Sequence, residues 1–164
     1  MTESAGLSHV DATGAAHMVD VSAKPSSVRR AVAAGRVATL PNVVDLLRAG
    51  SLAKGDALAV ARIAGIMGAK RTSDLLPLCH PIAVHSVAVD LDLRESSVEI
   101  TATVQTADRT GVEMEALTAV AVASLALIDM IKAVDPAAAI EDVRVLRKEG
   151  GKTGEWVRAA GGAT

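Results

Sequence analysis

Asp129 and Lys132 stand three positions apart at the end of a long run that carries no other ionisable group. That spacing puts both on one helix face. On spacing alone they read as a surface ion pair at a helix end, which is common and weak; the sharper reading is an acid/base pair in which each group tunes the other. A second run, Ala69-Lys70-Arg71-Thr72-Ser73-Asp74-Leu75-Leu76-Pro77-Leu78-Cys79-His80-Pro81, sets two cations at a helix end and then a Cys-His step between two prolines. Cations there suit the helix dipole. The prolines fix the backbone around His80, as a site that must hold one imidazole requires. Adjacent Cys79 and His80 lack chelating spacing, so no zinc site is expected.

A third run, Lys148-Glu149-Gly150-Gly151-Lys152-Thr153-Gly154, invites comparison with a phosphate-binding loop but fails the P-loop pattern, because the first required glycine falls at Leu146. What survives is a loop whose backbone N–H groups and two lysines can meet phosphates; the plainer reading is a solvated basic turn. Asp90 and Asp92 share one strand face, which a solvated outer surface explains better than magnesium. Lys24, Arg29, Lys54, Lys70, Arg71, Lys132, Lys148 and Lys152 are scattered along the chain. Were several to converge, they would make a local polyanion site without a global basic charge.

The frame that must position these groups is a 164-residue chain, half hydrophobic, suited to one domain with a sizeable core. It has no Phe, no Tyr and one Trp, so the core is aliphatic and single-stranded nucleic acid, which stacks on aromatic rings, is not an expected partner. A formal charge of −2 argues against a general polyanion-binding surface. The single Cys79 excludes an internal disulfide. No signal peptide is read in Met1 to Gly6, and the uncharged stretch Ala116 to Ile128 falls short of the roughly 20 residues a bilayer requires, so a cytoplasmic protein is expected.

Along the chain, Met18 to Val21 and Arg36 to Leu40 read as short strands. Pro41 opens a helix that stops before Gly50. Asp56 caps a second helix running to about Lys70, whose Gly65 and Gly68 imply tight packing against another element. Val87 to Leu93 and Val98 to Gln105 alternate in hydrophobicity around Glu95-Ser96-Ser97, an antiparallel hairpin with one buried face. A helix from about Gly111 to Val134 follows. Its uncharged middle calls for burial in a large core or between subunits, which favours an oligomer. A strand from Ile140 to Leu146 completes an α+β layout.

Several segments together resemble the cyclic pyranopterin monophosphate synthase family, also called molybdenum cofactor biosynthesis protein C. They are His17 to Lys24, Lys54-Gly55-Asp56, Ala61 to Met67, Lys70-Arg71-Thr72, Leu75 to Pro81, Thr110 to Ala119, Asp129 to Val134 and Gly150 to Gly154. The resemblance runs in order from about Leu7 to Trp156. It implies a ferredoxin-like antiparallel sheet packed with helices in a single domain, 7–158, with 1–6 and 159–164 as flexible ends. It also implies a homohexamer built as a trimer of dimers with sites at the dimer interface. The implied reaction converts 3',8-cyclo-7,8-dihydro-GTP to cyclic pyranopterin monophosphate. The five-membered purine ring opens, a pyrazine ring closes, and a ribose hydroxyl displaces pyrophosphate.

By the same resemblance Asp129, Lys54, Lys132 and His80 are catalytic. Leu78, Cys79, His80, Glu113, Met114, Glu115, Lys24, Arg29, Lys70, Arg71, Lys148 and Lys152 bind substrate. No cofactor is implied beyond magnesium accompanying the triphosphate, and no membrane or nucleic-acid partner; transient contact with the preceding radical enzyme is an expectation. Where family members often read Tyr-Asp-Met-Cys-Lys, this chain has Ile128-Asp129-Met130-Ile131-Lys132. The alternative is a non-catalytic paralogue that only binds a nucleotide or pterin.

Overall fold

A computed structural model describes residues 13–152 and 154–159. The first residues of the expected domain, both outermost ends and Thr153 of the glycine-rich run lie outside the described residues. The elements in chain order are β1 (Ser27–Ala38), α1 (Pro41–Ala49), α2 (Ala57–Ala69), α3 (Thr72–Leu75), β2 (Ser86–Leu93), β3 (Ser97–Asp108), α4 (Glu113–Ile131), β4 (Ala139–Glu149) and β5 (Trp156–Val157). The strands form one antiparallel sheet in the order β2-β3-β1-β4-β5. The first four strands with their helical crossovers are thus the ferredoxin-like α+β arrangement expected from the sequence.

One sheet face makes the core. Ala31, Ala33, Gly35 and Val37 of β1 stand opposite Val104, Ala102, Ile100 and Val98 of β3, and all eight are buried. Against them lie Ala116, Ala119, Val120, Ala123, Leu127 and Ile131 of α4. Each fully buried Ile or Leu here stabilises the fold by roughly 1.5–3 kcal/mol. With so many alanines, stability rests on close approach, and the glycines provide it. A Cβ on Gly35 would stand 2.8 Å from Val120 Cγ1, one on Gly65 2.9 Å from the Ala119 carbonyl oxygen, and one on Gly68 2.8 Å from Val122 Cβ. The tight neighbour expected for Gly65 and Gly68 is therefore α4.

Local rules account for the ends of the elements. Asp56 caps α2 as expected, its Oδ1 accepting from the Ala59 N–H at 2.9 Å. Gly50 closes α1 in the left-handed conformation at φ 63°. Asp135, 4% exposed, ties the chain after α4 to the β1–α1 corner: its Oδ2 accepts from Thr39 Oγ1 at 2.7 Å and from the Leu40 N–H at 3.1 Å. By length and composition α4 is apolar enough to cross a membrane. Here it is a core helix packed on the sheet and on α2.

Four expectations need correction. Met18 to Val21 is irregular rather than a strand; an Asp20–Ser22 turn bends it, with the Ser22 N–H on Asp20 Oδ1 at 2.8 Å. The strand expected at Arg36 to Leu40 is the tail of β1, which begins at Ser27, and Leu40 is already the N-cap of α1. The short α3 and β5 were not foreseen. Finally, α4 ends at Ile131 and β4 reaches Glu149, beyond the strand expected to stop at Leu146.

Because the Gly65 contact is with backbone, Gly65→Val should destabilise the fold by about 1–3 kcal/mol or more. Urea unfolding would measure it; an unshifted midpoint would show that α2 is free to move away from α4.

Candidate active site

Two groups of polar residues stand at opposite ends of α4. At its start lie three adjoining cavities that share Gly111. The first, about 350 Å³, is lined by Lys24, Leu78, Cys79, His80, Glu113, Met114 and Glu115, together with Val19, Val21, Thr110 and Gly111. The 77–81 segment reaches it because the chain turns tightly after α3, with the Cys79 N–H on the Leu76 carbonyl at 3.0 Å. His80 Nε2 donates to the Val19 carbonyl at 2.7 Å, which fixes the orientation of the ring.

Glu115 is 4% exposed. Burial pushes its carboxyl up to about 7, with the neighbouring Glu113 charge adding to the rise. Burial, and then the Glu115 charge, also raises the Cys79 thiol, which is held neutral. The pocket therefore joins apolar walls to an imidazole and a carboxyl that titrates near neutrality.

The second cavity, about 730 Å³, is lined by Lys24, Arg29, Arg109 and Lys152 with Pro25, Ser27, Thr110, Gly111 and Gly151. The third, about 110 Å³, includes Arg29, Glu113 and Lys148, and Lys148 Nζ lies 3.3 Å from Glu113 Oε1. Seven cations carry a carboxylate partner, as in Arg36–Glu141, Arg48–Asp45 and Arg147–Glu155, and Arg62, Lys70, Arg71, Arg94, Arg144 and Arg158 elsewhere on the surface do not. Among the described residues, Lys24, Arg29, Arg109 and Lys152 have none. Four uncompensated cations around one cavity make a local anion site on a chain of net charge −2.

At the far end of α4, Asp129 Oδ1 lies 2.8 Å from Lys132 Nζ, and Oδ2 lies 3.5 Å from Lys54 Nζ. Lys54 also donates to the Asp129 carbonyl at 2.6 Å, satisfying one of the free carbonyls of the helix end. The hydrogen bond from Lys132, its charge, and then that of Lys54 hold the Asp129 carboxyl below the usual carboxylate range. Ile131 beneath this cluster is fully buried and Ile128 is packed on the core, so the departure in their types is one of packing.

The structure thus gathers the expected site residues into two groups rather than one. Lys54, Asp129 and Lys132 form one, and the remainder the other, except Lys70 and Arg71, which are exposed at the end of α2 and line none of the three cavities. Sequence reasoning missed Arg109. Its signal was its place directly before the Thr110-Gly111 motif.

Folding raises the Glu115 pKa, so this carboxyl costs no stability below about 4.5 and an increasing amount as pH rises to about 7. Glu115→Gln should therefore gain on the native chain across that range, by roughly 3 kcal/mol at neutral pH and above. Thermal unfolding from pH 4 to 8 would show the gap opening; a constant gap would mean that Glu115 is solvated.

Known proteins match this chain over nearly its whole described length. The model of the MoaC family matches residues 18–151. The chain is 63% identical over 153 residues to the cyclic pyranopterin monophosphate synthase of Streptomyces coelicolor, covering 93% of this chain and 90% of that protein. It is 62% identical over 152 residues to cyclic pyranopterin monophosphate synthase 2 of Mycobacterium tuberculosis strain H37Rv, covering 93% and 91%. It is 57% identical over 150 residues to the synthase of Corynebacterium efficiens, covering 92% and 97%. With fold, residues and extent in agreement, the chain belongs to the MoaC family.

Proposed function

We propose that this chain is a lyase of molybdenum cofactor biosynthesis that converts 3',8-cyclo-7,8-dihydro-GTP to cyclic pyranopterin monophosphate and pyrophosphate. The observation that carries the reading is the two-part cleft at the start of α4, in a chain whose relatives bear that enzyme's name. One part sets Leu78, Cys79 and Met114 beside His80 and Glu115, whose carboxyl titrates near neutrality; the other is ringed by Lys24, Arg29, Arg109 and Lys152, none with a carboxylate partner among the described residues. A ring system with a triphosphate has the same two-part chemistry. Leu78, Cys79, His80, Met114 and Glu115 enclose the rings. Lys24, Arg29 and Lys152 hold the phosphates and stabilise pyrophosphate as it leaves.

Proton transfer to the opening and closing rings needs a further acid/base, and Asp129 with Lys54 and Lys132 fits that role. Glu115 and Asp129 are fourteen positions apart, about 21 Å along a helix axis, so one chain cannot bring both to one compact ring. A second copy can. Its α4, packed antiparallel, places its Asp129 end beside the first copy's Glu115 end. The outward faces suit such a pairing: Met114 and Leu125 on α4, and Val60, Ile63 and Met67 on α2, are exposed. The assembly we propose is a hexamer, a trimer of such dimers, working in the cytoplasm and in transient contact with the preceding radical enzyme. The chain holds no cofactor of its own in this reading; magnesium enters with the triphosphate.

Purified protein should release pyrophosphate from the cyclised substrate without a redox cofactor. Asp129→Asn, which keeps the shape but cannot titrate, should slow turnover by about 10²–10⁴-fold with little change in affinity. Binding without pyrophosphate release would make the native chain a nucleotide-binding module. A near-normal rate in Asp129→Asn would leave Asp129 as a structural ion-pair partner.

A further inference from the structure

Of the four cations around the second cavity, Arg109 is the one to which neither the motifs nor the reading above gives a role. Arg109 follows directly on β3, and its backbone N–H is fixed by Asp108 Oδ1 at 2.7 Å. Arg109 lines the cavity beside Thr110 and Gly111, which also line the ring pocket, so it stands at the junction of the two. Its carbonyl accepts a long hydrogen bond from Arg29 Nη2 at 3.4 Å, which ties the two arginines together through the backbone.

Arg29 is held in an unusual way. Its Nε–H is buried and meets no acceptor among the described residues, and a buried donor left unpaired costs free energy. Polar partners therefore hold this guanidinium weakly, and shape holds it instead. Gly151 has φ +75°, and a Cβ there would overlap Arg29 Nη1 and lie 2.7 Å from Cζ. Gly150, at φ +92°, leaves equally little room: a Cβ there would overlap the Val28 carbonyl oxygen. The glycine pair lets the Lys148–Lys152 loop lie flat on the Arg29 guanidinium. Two planar forks, neither carrying a carboxylate, match an anion that offers several oxygens and at least two charges.

We propose that Arg109 is a substrate-binding residue that forms, with Arg29, a paired guanidinium site for the terminal phosphates, and that Gly151 is the positioning residue that sets Arg29. This rests on the assignment of the cationic cavity to phosphates. The probe is inorganic pyrophosphate, titrated calorimetrically into the full chain. Arg109→Gln should weaken its binding about tenfold or more, the worth of a lost charged hydrogen bond, with the loss shrinking as salt rises. Arg109→Lys should recover part of it. With the cyclised substrate, Arg109→Gln should raise KM by a similar factor and lower kcat as well, because the terminal phosphates it holds are the ones that leave as pyrophosphate.

Gly151→Ala should weaken pyrophosphate binding in the native background and add nothing in an Arg29→Ala background, since it acts through Arg29. An unchanged dissociation constant for Arg109→Gln at low salt overturns the Arg109 site. A Gly151→Ala loss that adds in full to that of Arg29→Ala overturns the positioning role. The reaction is tested separately. A native chain that binds pyrophosphate through Arg109 yet never turns over the substrate keeps this site and loses the reaction; normal turnover with Arg109 inert keeps the reaction and loses the site.

Discussion

Helix α4 is packed at a distance that leaves no room for a methyl group at three places. Gly35 lies beneath it on the sheet, and Gly65 and Gly68 lie beside it on α2. In a core without a buried aromatic ring, that approach replaces side-chain bulk as the source of contact. It also fixes α4 as a rod about which both groups of polar residues are arranged. The start of the rod sets Glu113, Met114 and Glu115 against the 77–81 segment, and its end presents Asp129 and Lys132 to Lys54. Because the rod cannot shorten, the two groups stay apart within one chain, and the proposed chemistry follows from bringing two rods together.

Charge is distributed with the same division. Several cations away from the cleft are neutralised by carboxylates or, like Arg62 and Arg158, donate to carbonyls. Those around the second cavity have no carboxylate partner among the described residues, while the Glu115 carboxyl at the first cavity is driven toward neutrality by burial. At the far end the reverse holds: Asp129 is exposed, flanked by two ammonium groups and kept ionised. The two carboxyls are thus held in opposite protonation tendencies, Glu115 toward the neutral form and Asp129 toward the ionised form.

Much of this was legible in the sequence where a residue has one strong local meaning. Asp56 as a cap, Gly50 as a helix stop, the alternating hairpin strands and the uncharged middle of α4 each pointed to what the structure contains. The tight partner implied by Gly65 and Gly68 was also readable, though not its identity. The first strand was hidden because alanine and arginine carry little strand preference, so Arg29 to Ala34 gave no alternation to read. The Met18 to Val21 segment has the composition of a strand, but the Asp20 side chain takes a backbone N–H and bends it. Convergence of distant cations was beyond pattern reading. Lys54 meets Asp129 across 75 positions and Arg29 meets Arg109 across 80, and only the fold brings them together.

The central claim is that Glu115 of one copy and Asp129 of another serve the same substrate, and subunit complementation tests it most directly. Inactive Glu115→Ala and inactive Asp129→Ala chains are unfolded together, refolded as mixed oligomers, and assayed for pyrophosphate release, with exchange confirmed by differential mass labels. In a two-fold pair, a mixed dimer has one site lacking both groups and one site intact. Random pairing should therefore restore about a quarter of native activity. A fully exchanged mixture as inactive as either parent would contradict the shared site.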